Sequence, residues 1–110
     1  MELHEILDKA ADLMTERGFC KRIEEDHHGR VCLVGAINLV TIGTAITMPN
    51  EDGEKAISFC GNLLYGRFSS PIGLMDRSPV YWNNMSERTE AEVVDFLREA
   101  AIAAKELEAK

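Results

Sequence analysis

The chain has 110 residues and a mass of 12.3 kDa, a length that fits one domain spanning 1–110. Hydrophobic residues make up 45% and charged residues 28%, which excludes a disordered or collagen-like chain. With 12 basic and 19 acidic residues the net charge is -7. That excess of acid argues against a nucleic-acid binder, because phosphate contacts need Lys and Arg. Three cysteines cannot all pair within one chain, and Met1–Leu13 carries no secretory n-region or h-region. The expectation is therefore reduced thiols in the cytosol.

Leu3, Ile6, Leu7, Ala10, Leu13 and Met14 recur at helical spacing with acids on the other face, which predicts a first amphipathic helix. Gly18 supplies the residue that ends it. Phe19 to Ile23 reads as a short extended segment, and Glu24-Glu25-Asp26-His27-His28-Gly29 as a polar turn. The most apolar stretch follows, Val31 to Met48. Its periodicity does not choose between helix and strand, but its length predicts a central helix. Asn38 and three threonines interrupt it, so it is not a membrane span. Pro49 to Gly53 ends that segment, and Ala56, Ile57, Cys60, Leu63 and Leu64 form a third helical stripe. Asn50 or Asp52 is its candidate cap and Gly66 its stop. Arg67 to Trp82 reads as a long loop, with Ser70-Pro71 opening a short helical turn. Thr89 with Glu92 matches a capping box ahead of Val93, Val94, Leu97, Ala100, Ala101, Ala104 and Leu107, which predicts the last helix.

Four islands carry a resemblance: Gly18-Phe19-Cys20, Gly29-x-x-Cys32-Leu33-x-Gly35-Ala36, Trp82-Asn83 and Arg88-Thr89-x-x-x-Val93. Together they resemble a small-protein family of unknown function, spread through actinobacteria and their phages, mycobacteriophages included. The islands span most of the chain, while residues 44–80 add almost nothing. The chain departs from that pattern at Phe19, where Trp is usual, and at Asn84, where Asp is usual. The resemblance implies a phage-encoded or bacterial-cytosol protein and implies no reaction.

Three constellations have the residue types for chemistry. Cys20, His27, His28 and Cys32 are zinc-ligand types within 13 residues, but their spacing matches no tight metal motif. They read better as structural cysteines beside exposed histidines, so no metal is expected. Cys32 lies near a predicted helix start with His27 and His28 upstream, the outline of a thiol hydrolase. Leu33 and Val34 argue for burial instead, and no third, orienting group is evident, so no catalytic residue is assigned. Tyr81-Trp82-Asn83-Asn84 offers an aromatic surface beside two amides, which suits either a ligand platform or a core plug with turn-forming amides. Glu24-Glu25-Asp26 is too short a run for nucleic-acid mimicry. No phosphate-cradling loop and no Ser-His-Asp pattern are present, and no cofactor is implied.

The sequence thus predicts a mainly α bundle of about four helices, with a small β element near residues 19–34. The expected function is that of a non-enzymatic accessory protein, phage- or prophage-associated. It would bind a host protein or a second copy of itself, without nucleic-acid or membrane partners. The candidate interaction or ligand residues are Phe68, Leu74, Met75, Tyr81, Trp82 and Asn83, on a loop that also carries Ile72. A pocket near Trp82 that binds a small molecule, a nucleotide among the candidates, is the alternative, and a thiol hydrolase using Cys32 ranks third. Among the thiols, Cys20 is expected to be the most accessible.

Overall fold

The computed structural model describes residues 1–67 and 78–109, the side chains of Tyr65 and Arg67 apart. Among these residues it has five helices: α1 (Leu3–Arg17), α2 (Leu33–Thr41), α3 (Glu51–Arg67), α4 (Pro79–Asn84) and α5 (Glu90–Glu108). The small β element consists of two isolated bridges, Phe19 with Val31 (parallel) and Glu25 with Val31 (antiparallel). The fold is a small, mainly α bundle. None of the described helices is long and apolar enough to cross a membrane.

Of the stripe read from the first helix, Ile6, Leu7, Ala10 and Met14 are buried on α1, Leu3 and Leu13 are partly buried, and Ala11 joins the inward face. The facing stripe of α5 is Val93, Phe96, Leu97, Ala100, Ala101 and Ala104. Alanines on both helices let them run close together, and this pair forms the largest interface in the fold. Arg98 of α5 ties the polar edge, donating to the Asp8 carboxylate at 3.1 Å, the Asp8 carbonyl at 3.0 Å and the Asp12 carboxylate at 2.5 Å. Leu33, Ala36 and Ile37 of α2 and Ala56, Cys60 and Leu64 of α3 complete the core. Trp82 of α4 adds the last large group, its ring 4.9 Å from that of Phe96.

The long central helix expected over Val31–Met48 is a correction. Only Leu33–Thr41 is helical. Asn38 folds the chain back: its carbonyl accepts from Ile42 N–H (2.8 Å) and Gly43 N–H (3.2 Å). Its side-chain amide, fully buried, donates to the carbonyls of Ala45 and Thr47 at 3.0 Å each. Gly43 takes the φ of 97° that this reversal requires. A buried amide with two backbone acceptors thus outweighs the apolar run, which by itself cannot state where a helix stops.

The second correction is α4. Within the stretch Arg67–Trp82, for which the sequence predicts a loop, Pro79 opens a short helix directly after Ser78, where proline's missing amide costs nothing. The Ser70-Pro71 turn and the candidates Phe68, Ile72, Leu74 and Met75 lie outside the described residues. Helix α3 starts with Asn50 as its cap, whose Oδ1 accepts from Gly53 N–H at 2.8 Å, and it runs one residue past Gly66.

The capping box that opens α5 is formed as the pattern states. Thr89 Oγ1 accepts from Glu92 N–H at 3.3 Å, and Glu92 Oε1 accepts from Thr89 N–H at 3.2 Å. Replacing the cap removes one of these bonds and leaves an amide of the first turn unpaired. We expect Thr89→Ala to lower stability by about 1 kcal/mol, read as a shift in denaturant midpoint at constant slope. An unchanged midpoint would mean that Thr89 does not stabilise the helix end.

Candidate functional site

Segment 18–32 is a backbone knot that joins α1 to α2. Gly18, at φ 97°, accepts from Val31 N–H on its carbonyl, and Cys20 N–H donates to the Val31 carbonyl, both at 3.0 Å. The polar turn is organised by Asp26. Its carboxylate accepts from His28 N–H (3.0 Å), Arg30 N–H (2.9 Å) and the Arg30 side chain (2.6 Å). Cys32 N–H then donates to the Glu24 carbonyl at 3.1 Å, which carries the chain onto the first turn of α2.

Two asparagines of α4 bind this knot to the bundle. Asn83 is buried; its Oδ1 accepts from Leu33 N–H at 3.0 Å and its Nδ2 donates to the Cys20 carbonyl at 3.2 Å. The parallel pairing of Phe19 with Val31, extended by one rung, would join those same two backbone groups. The side-chain amide of Asn83 replaces that rung while the segments separate. Asn84 Oδ1 accepts from Asn83 Nδ2 (3.2 Å) and from the N–H of Arg22 (2.7 Å), which has a left-handed φ of 73°. A carboxylate oxygen would accept those bonds equally, so the departure from Asp at this position keeps its role.

Trp82 is 4% exposed, with the Arg88 guanidinium 4.3 Å from its ring centre, so of the two readings its indole takes that of the core plug. Arg88 also donates to the Trp82 carbonyl (3.0 Å) and to Glu92 (2.7 Å). Of the described candidates, Tyr81 alone is exposed, while Trp82 and Asn83 are buried. The four sequence islands therefore converge on one structural junction between the knot, α2, α4 and α5.

A cleft of about 70 Å³ opens at this junction, lined by Arg22, Ile23, Glu24, Cys32, Val34, Val80, Asn83 and Asn84. A second, shallower groove of about 290 Å³ meets it at Asn84 and is lined by Tyr81, Met85, Ser86 and Glu87. Ile23, Val80 and Tyr81 stand exposed around the two. Ile23 and Val80 were missed from sequence. No local pattern marks them, because their proximity arises from residues 57 positions apart.

The zinc and hydrolase outlines do not assemble among the described residues. His27 and His28 are exposed, with their rings 4.0 Å apart. The group of three that could place ligand atoms together is elsewhere, Glu2, His4 and Glu108. Cys32 is the N-cap of α2, its sulfur accepting from Gly35 N–H at 3.3 Å. Burial pushes its thiol up, against that bond, so the thiol form prevails at neutral pH. Cys20 is the least enclosed of the three thiols, as expected, but it too is buried: its sulfur lies 3.2 Å from the carbonyls of Ile23 and Arg30. Burial, and then a charge on Cys32, raise it to about 11; burial alone raises Cys60 to about 12.

Raised folded-state values mean that unfolding releases protons at alkaline pH. The thiols' contribution to stability is full below the ordinary thiol value of 9.0 and is lost as pH rises through about 11 and 12. We expect the denaturation midpoint to fall steadily above pH 9, and Cys60→Ala, though less stable throughout, to fall less steeply. Equal slopes in the two proteins would remove Cys60 from this account.

No curated protein and no solved structure matches the chain. The model of a family of unknown function (DUF6197) matches residues 1–103, which covers every island of the junction, and the chain belongs to that family.

Proposed function

We propose that this protein is a non-enzymatic docking module. It binds another protein through the face formed by Ile23, Val80 and Tyr81 around the cleft at Asn84. The observation that supports this reading is the clustering of three large exposed apolar side chains around the cleft, held by an amide network that fixes their positions. A cleft of about 70 Å³ is far below the roughly 300–1,000 Å³ of small-molecule sites, which disfavours a nucleotide there. The resemblance to small proteins of actinobacteria and their phages points to the bacterial cytosol as the setting. The partner is then a host protein or a second copy of this chain.

The test is paired. Light scattering over a concentration series reads self-association, and affinity capture from an actinobacterial host lysate uses wild-type and variant baits side by side. The expected result is a complex that Val80→Lys with Tyr81→Glu abolishes and that Ile102→Lys, on the exposed face of α5, retains. A monomer whose captured proteins are the same for all three baits would overturn the reading.

A further inference from the structure

The knot places two thiols at matched positions. Phe19 and Val31 form a parallel bridge, closed by Cys20 N–H to the Val31 carbonyl and Val31 N–H to the Gly18 carbonyl, both at 3.0 Å. Cys20 and Cys32 are the next residues on the two segments. In a parallel ladder such neighbours project to the same face. Paired strands lie about 4.8 Å apart, inside the roughly 4.4–6.8 Å Cα separation that a disulfide spans. The segments separate only beyond this pair, where the amide of Asn83 occupies the following rung. A charge on Cys32 acts on Cys20, as expected of thiols this close. Cys32 also lines the cleft, whereas Cys60 is fully buried in the core.

We propose that Cys20 and Cys32 form a redox-modification site, in which a small peroxide entering the cleft joins them as an intramolecular disulfide. The cleft has room for a small oxidant: about 70 Å³, against roughly 10–15 Å³ for one water molecule. Cys32 is mostly thiol at neutral pH, so the reacting species is its minor thiolate, formed by loss of the thiol proton to water, and this thiolate attacks one peroxide oxygen. The O–O bond breaks, an S–O bond forms, and the leaving oxygen takes a proton to depart as water. Cys20, losing its own proton, then attacks the sulfenic sulfur; the S–S bond forms and the second oxygen leaves as water. Two thiols are oxidised and one peroxide is reduced to two waters. The N–H of Gly35, which points at the Cys32 sulfur, is placed to stabilise the thiolate and the sulfenate. The assignment uses the thiols and the cleft beside Cys32, and it holds whether or not the docking face binds a partner.

The folded, reduced protein is treated with hydrogen peroxide, alkylated, and mapped by mass spectrometry without reductant. The expected product has lost two hydrogens and yields one cross-linked peptide joining Cys20 to Cys32, which a dithiol reverses. Cys60 remains free for alkylation after unfolding. The same treatment of the urea-unfolded chain should scatter the cross-links over all pairings. In Cys20→Ser, a cyclic diketone should trap sulfenic acid on Cys32. If that variant does not fold, the wild-type map decides alone. Oxidation of Cys32 to sulfinic acid without a cross-link, a cross-link that includes Cys60, or no oxidation of the folded protein would each overturn the proposal.

Discussion

Gly35→Ala is expected to be among the most damaging single-methyl additions to this protein. A Cβ on Gly35 would sit 2.0 Å from the carbonyl oxygen of Glu24 and 2.8 Å from its carbonyl carbon. Both are backbone atoms, and the same carbonyl accepts from Cys32 N–H at 3.1 Å, so it cannot retreat without losing the bond that starts α2. Alanine is otherwise the better helix former, by roughly 1 kcal/mol, so propensity alone predicts stabilisation. The clash decides the sign. We expect a net loss of about 3 kcal/mol or more, at the upper end of overpacking costs, because the obstacle is main chain rather than a flexible side chain. Chemical denaturation measures it. A midpoint equal to or above that of wild type would show that segment 22–26 moves freely away from α2, and would remove the rigid junction on which the docking face depends.

The second large effect is expected at Asn83. Its amide satisfies one buried donor and one buried acceptor, Leu33 N–H and the Cys20 carbonyl. Asn83→Ala leaves both unpaired, at about 1–3 kcal/mol each, so the expected loss is about 2–6 kcal/mol. Asn83→Asp separates the two halves of the interaction. It keeps the acceptor for Leu33 but places a carboxylate against the Cys20 carbonyl. In that buried setting the carboxyl is raised, so its protonated form, which donates as the amide did, is favoured in the folded state. Stability of Asn83→Asp should therefore be recovered in part as pH falls and lost as pH rises through the folded-state value. Asn84→Asp is the control: its Oδ1 only accepts, and a midpoint within about 0.5 kcal/mol of wild type is expected. A pH-independent Asn83→Asp, as stable as Asn83→Ala throughout, would deny the donor role.

Both effects bear on function through placement. Asn83 and Asn84 hold α4 against the knot, and α4 carries Val80 and Tyr81 while the knot carries Ile23. Loss of the amide network should therefore reduce partner binding along with stability. Val80→Lys with Tyr81→Glu should reduce binding with little effect on the midpoint, since both side chains are exposed.

The amino-acid order alone determined α1 and α5, because each is long, strongly periodic, and bounded by local chemistry that does not wait for the rest of the chain. Gly18 follows α1, and the Thr89–Glu92 capping box precedes α5. It also indicated that Cys32 lies at a helix start, that Asp26 sits in a polar turn, and that an all-helical bundle would result. What it left open were the features whose partners are remote or whose local signals conflict. The end of α2 is set by the side chain of Asn38 reaching Ala45 and Thr47, against an apolar run that favours continuation. The burial of Cys20 is set by the carbonyls of Ile23 and Arg30 and by the Val31 segment beside it. The role of Trp82-Asn83 depends on Phe96 and Leu33, 14 and 50 positions away, and the face formed by Ile23 and Val80 exists only once those contacts close. Periodicity and caps are properties of adjacent residues and act before tertiary contacts form. A buried amide chooses its partners only after the backbone has brought them within bonding distance, so its role was decided by the tertiary structure alone.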